Sequence, residues 1–277
     1  MKKILAAAIG AGALIALGAV APANAAEGPA KLSVLHGVPG LTVDVYVNNE
    51  LKLDNFEPSN LAGPLELPAG TYTVAITAAD APDASAPAIG PIDLPLEAGL
   101  NYTAVAHLNE AGEPTATLFT NDIAQTAAGE GRLTVRHVAA APAVDVLAGG
   151  APVITNLTNP NEKVLNLPAG VVSASVAATG TTDPVIGPAD VDVAEGVNTI
   201  VYAWGSLEDD NLAIAVQTID GLHSSPEGVP AGEAGLAATN ASGIGTEGWV
   251  VIGTALLAAV ALALGALRRR RPAEDRH

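Results

Sequence analysis

The sequence predicts an all-β protein: two tandem Ig-like β-sandwich modules followed by one C-terminal transmembrane helix. Three observations carry that prediction. The middle of the chain repeats itself at an offset near 100 residues; short alternating apolar runs are separated by Gly- and Pro-rich turn signals; and one long uncharged stretch runs straight into four arginines.

The repeat sets the organisation. LSVLHGVPGLTVDVYV at residues 32–47 answers to LTVRHVAAAPAVDVLA at residues 133–148. Leu-Pro-Ala-Gly recurs at 67–70 and 167–170, Ile-Gly-Pro at 89–91 and 186–188, and GLNYTAVAH at 99–107 matches GVNTIVYAW at 196–204. The offset drifts only from 101 to 97, so each copy is a domain-sized unit of just under a hundred residues. The modules are assigned to residues 26–126 and 127–222.

In chain order, residues 1–25 read as a secretory signal. Lys2 and Lys3 give the positive start, residues 4–20 the apolar stretch, and Ala23-Asn24-Ala25 the small-residue cleavage site. Within the modules, Val43, Val45 and Val47 alternate with Asp44 and Tyr46, the period of a strand with one face on a core. Leu32, Val34 and His36 alternate likewise, as do Leu133, Val135 and His137. Further strands at 71–77 and 171–176 are each entered through Pro-Ala-Gly, where Pro stops a ladder and Gly allows a tight turn. Turn signals every 8–12 residues or so argue a sandwich for each copy. Residues 124–131 form a short joint, and residues 223–248, rich in Gly, Ala, Ser and Pro, a flexible stalk.

The stretch 249–267 has no charge, and as a helix it would span about 28 Å, matching a hydrocarbon core of about 30 Å. Arg268 to Arg271 follow and place the tail, residues 268–277, in the cytoplasm. Just upstream, Leu236, Ala237, Thr239 and Asn240, with the apolar segment and basic tail behind them, resemble a Gram-positive sortase sorting signal of the LAxTG type, with Asn240 where such signals carry Gly. The resemblance implies cell-wall attachment at Thr239. A plain transmembrane anchor behind an Ala-rich linker is the other reading.

The run from Leu32 through His36 to residues 43–47, then Leu67-Pro68-Ala69-Gly70 with Thr71-Tyr72, then Gly99 to Thr103, resembles the domain-of-unknown-function 4397 family. The second copy fits more loosely: His137, Asp145 and residues 167–170 match, whereas Leu147 stands in place of Tyr46 and Val171-Val172 in place of Thr71-Tyr72. The family is one of bacterial secreted or surface proteins, often in tandem copies. The resemblance implies a location and a fold but supplies no activity, cofactor or site residue.

Charge narrows the partners. Residues 26–248 carry five bases against 27 acids, a net of −22, which excludes nucleic acid and phosphate groups as ligands. The chain has no cysteine, so each module stands on its hydrophobic core alone.

Candidate chemistry is sparse. His36 with Asp44, and His137 with Asp145, repeat at the same spacing, the start of a general base or, buried, a structural latch to a turn. No GxSxG elbow, HExxH or glycine-rich phosphate loop is present. Asp190 and Asp192, with Glu208, Asp209, Asp210 and Asn211, are hard-oxygen candidates for calcium, set against a solvated acidic loop. Trp204, in the position of His107, is a core plug or an exposed sugar-stacking anchor.

The expectation is therefore a non-enzymatic cell-surface protein with a structural, spacer or adhesion role and no cofactor. It touches the membrane through its C-terminal helix, or the wall through the sorting signal. A cation- or ligand-binding surface module is the alternative, and a wall-acting hydrolase the third.

Overall fold

A computed structural model describes residues 28–224. The segments read as signal peptide, stalk beyond Ser224, sorting motif, membrane helix and basic tail lie outside the described residues. Among the described residues there is no helix, and so none long and apolar enough to cross a membrane.

The first sandwich comprises β1 (Ala30–Gly37), β2 (Val43–Val47), β3 (Glu50–Phe56), β4 (Leu61–Leu67), β5 (Gly70–Ala78), β6 (Ile89–Leu96), β7 (Asn101–Leu108) and β8 (Pro114–Asn121). The second comprises β9 (Glu130–Ala140), β10 (Val144–Ala148), β11 (Ala151–Leu157), β12 (Glu162–Pro168), β13 (Gly170–Ala178), β14 (Pro184–Val193), β15 (Asn198–Ser206) and β16 (Ala213–Ile219). Sheet orders are β4-β1-β7-β8 and β3-β2-β5-β6 in the first copy, β12-β9-β15-β16 and β11-β10-β13-β14 in the second. The sequence repeat is thus a repeat of topology. Both sandwiches lie in one compact unit.

The layout departs from the Ig-like arrangement the sequence predicts. An immunoglobulin-type sandwich keeps its first, second, fourth and fifth strands in one sheet. Here the chain changes sheet immediately after β1, so β2 pairs with β3 and β5, while β1 lies parallel to β7 from Lys31↔Asn101 to Gly37↔His107. β9 and β15 repeat that parallel pair. Side-chain alternation fixes which face of a strand is buried, not which strand lies beside it, so this pairing left no mark in the pattern.

Each sandwich has its own core. Val43, Val45, Phe56, Ile76, Ile89, Ala106 and Leu108 pack together in the first, next to Leu32, Leu94, Leu96 and Tyr102. Leu133, Val135, Val144, Val146, Val176, Val191 and Val201 do so in the second. A further apolar cluster belongs to neither: Leu35, Val105 and Phe119 meet Val138, Ile200, Tyr202 and Trp204 where the two sandwiches press sheet to sheet. Every residue of β7 and of β15 is consequently buried.

The repeated Ile-Gly-Pro marks a bulge. β5–β6 pairing slips between Val74 and Ile76, and β13–β14 pairing slips between Ala174 and Val176. Gly90 (φ +92) and Gly187 (φ +85) sit at these slips, pressed on the neighbouring strand. A Cβ at Gly90 would lie 2.7 Å from the Val74 carbonyl oxygen, and one at Gly187 2.9 Å from that of Ala174. Only glycine satisfies both the conformation and the close approach.

Gly90→Ala is expected to cost roughly 3 kcal/mol, since backbone strain and the carbonyl clash act together. Gly40→Ala, equally left-handed (φ +69) but with open space around it, should cost only about 1–2 kcal/mol. Urea midpoints separate the two, and equal losses would mean that conformation alone accounts for Gly90.

Candidate functional site

The two histidine–aspartate pairs occupy equivalent places and act on backbone. Leu41 O can only accept, so Nε2 of His36 carries the proton and donates to it at 2.7 Å, leaving Nδ1 to accept from Val38 N at 3.4 Å. His137 repeats this with Pro142 O at 3.0 Å and Ala139 N at 3.4 Å. Each imidazole therefore closes the turn that carries the chain from one sheet to the other. His36 also stacks on Phe56 with ring centroids 5.9 Å apart.

The aspartates do parallel work one connection later. Asp44 accepts from Asn55 N and Asp145 from Asn156 N, both at 2.8 Å, fixing two left-handed residues (φ 52 and 55). Asp145 additionally accepts from Gly180 N at 2.9 Å. The amides of Gly180 and Asn156 hold its carboxyl below the usual range. Among the described residues no hydrogen bond joins either histidine to its aspartate, so the pairs are neighbours in sequence and not proton relays. Both histidines are about 1 % exposed, out of reach of a polymer.

A third buried histidine, His107, lies at the sheet-to-sheet contact. Its Nδ1 donates to Leu108 O, and its Nε2 accepts from the Thr117 hydroxyl, both at 2.9 Å. Trp204, the counterpart of His107 in the second copy, is buried in the same contact. It is not presented for stacking on a sugar. The acidic candidates stay apart: Asp190 and Asp192 are exposed on β14, while Asn211 caps the β15–β16 turn by accepting from Ser206 N at 2.7 Å. Among the described residues no group of three or more Asp, Glu, His or Cys is arranged to hold a metal.

The polar cluster that sequence reasoning missed centres on Arg136, 1 % exposed. Its Nε donates to Glu162 at 2.7 Å, Nη1 to the Tyr202 hydroxyl at 2.8 Å, and Nη2 across the contact to Asn121 Oδ1 at 2.8 Å. The guanidinium lies 4.3 Å from the centroid of the Phe119 ring, which belongs to the first sandwich. The Tyr202 hydroxyl donates to Gln217 Oε1 at 2.6 Å, which also accepts from the Thr103 hydroxyl at 3.0 Å. Asn121 in turn donates to Asn101 Oδ1 at 2.7 Å. At one end of the contact Arg132 donates to the carbonyls of Asp122 and Ala124, and at the other Asn159 donates to those of Leu108 and Ala139. A signal in the sequence was the alignment of Arg136 with the apolar Leu35.

Residues 30–147 match the family described as Domain of unknown function (DUF4397). The match takes in the whole first sandwich, β9 and β10 as far as Leu147, so it covers both His–Asp pairs. No curated protein matches the chain.

His36, His107 and His137 all have lowered pKa values, burial being the main cause. The folded protein then binds fewer protons than the unfolded chain below the ordinary histidine pKa of about 6.5, so the stability these groups support is full above that pH and lost as pH falls. Stability should drop between pH 7 and 5 by up to about 1.4 kcal/mol per pH unit per histidine. Guanidinium titrations across that range measure it, and a flat profile would contradict the assignment of three neutral imidazoles.

Proposed function

We propose that this chain is a non-enzymatic cell-surface protein in which two tandem copies of the family domain present one rigid binding block to the surroundings. The observation that carries the reading is the continuous contact between the sandwiches, with Arg136 buried across it. The repeated histidines and aspartates serve as backbone latches that make each copy stiff, and among the described residues no hydrogen bond links them into a proton relay. Face-to-face packing favours an adhesion or structural role over that of an extended spacer, since the second module adds thickness and rigidity more than reach. The signal at residues 1–25, the uncharged stretch 249–267 and the sorting-like residues Leu236, Ala237, Thr239 and Asn240 supply the surface location, by membrane span or by wall linkage. The strongly acidic block remains soluble outside the cell and avoids anionic polymers.

Protease treatment of intact cells should release one fragment holding both sandwiches, and deleting residues 236–277 should move the protein into the medium. Protein that stays protected inside the cell would overturn the location. Turnover of a wall polymer or ester that is lost in His36→Gln or His137→Gln would overturn the non-enzymatic role.

A further inference from the structure

The two sandwiches differ in one respect that neither the repeat nor the shared topology requires: the first is hollow. Between its sheets lies a cavity of about 480 Å³, whereas the corresponding space in the second measures about 40 Å³. Strand pairing shows where the difference arises. Ala104 on β7 and Ala116 on β8 line the first cavity, and the residues in the same register of the second copy are Val201 and Ile214. The hollow is thus a property of the first copy and not of the fold.

The wall is apolar, formed by side chains such as Leu32, Val34, Val45, Val74, Ile76 and Ile92. The hydroxyls that reach it are already engaged, Tyr72 with Pro68 O and Thr117 with His107, both at 2.9 Å. Water entering such a space would find few partners, and an unfilled void of this size is strongly destabilising. The exposed lining residues are Asn48, Glu50, Lys52, Leu65 and Glu66, all in β3, β4 or the turn before β3, so the mouth lies between those two edge strands. Leu65 there is 43 % exposed.

We infer that the first sandwich binds a single apolar chain through the β3–β4 mouth, with a neutral polar head left at the rim. The volume is roughly three times that of the ~150 Å³ cavity that accepts one benzene, giving room for roughly 12–18 carbons. The rim selects the head: Lys52 is already paired with Glu50 at 2.7 Å, and Glu66 adds a second carboxylate. An anionic head would meet net negative charge there, whereas a hydroxyl or ester head would not.

The test uses residues 26–226, which contain both sandwiches, titrated with N-phenyl-1-naphthylamine as a neutral apolar reporter. Saturable binding at one site per chain is expected, with displacement by 1-dodecanol at least ten times tighter than by dodecanoate. The double variant Ala104→Val/Ala116→Ile, which installs the second copy's residues, should weaken binding at least tenfold while the melting temperature holds or rises. Leu65→Arg, on the exposed mouth, should weaken it as well without touching the core. Absence of saturable binding, or binding that survives in both folded variants, would overturn the site. Equal or better displacement by dodecanoate would overturn the choice of head group.

Discussion

The fold depends on a contact that buries a charge. Taking a guanidinium out of water costs several kcal/mol unless its hydrogen bonds are met by good geometry. Arg136 is held by Glu162 and Tyr202 from its own sandwich, but its third bond and one of its two aromatic faces come from Asn121 and Phe119 of the other. Parting the sandwiches would strip those partners away and expose Leu35, Val105, Ile200 and Trp204 together. The apolar part of the contact gives it area and the polar part gives it a unique register, because Arg136, Asn121, Thr103 and Gln217 are satisfied only in this arrangement. Each module is therefore incomplete on the face it shows its partner.

The repeat, the strands β1, β2, β5, β9 and β13 and the turn glycines were legible, because alternation with period two and Gly-Pro punctuation are local properties. The fate of the outer faces was not. In β9, Arg132, Thr134 and Arg136 alternate with Leu133 and Val135, which reads as a polar solvent face opposite an apolar core face. That inference holds for a sandwich standing alone and fails when a second sandwich covers the polar side. β15 gave a better hint: its run from Thr199 to Trp204 is apolar at nearly every position, as expected of a strand buried on both sides. Trp204 belongs to this contact, and its counterpart His107 is buried as well.

The histidine and aspartate pairs were visible as a recurring spacing, and the structure gives the spacing a different meaning. Each group reaches a fixed number of residues ahead, His36 to Leu41 and His137 to Pro142, Asp44 to Asn55 and Asp145 to Asn156. The spacing records the length of two connections and not the distance between two reacting groups. The hollow interior of the first copy, by contrast, could be seen only once the strand pairing placed Ala104 and Ala116 together on the cavity wall, since small residues in a strand pattern say nothing about what faces them. The copies have diverged in complementary directions: the first keeps an open interior, while the second has a filled one and supplies Arg136 and most of the polar contact.

The most direct test is scanning calorimetry of residues 26–226. If the contact makes the two sandwiches one cooperative body, unfolding should give a single transition whose calorimetric and van 't Hoff enthalpies agree, and Arg136→Ala should split or broaden it. Two resolved transitions in the unaltered protein, each unmoved by Arg136→Ala, would contradict the account.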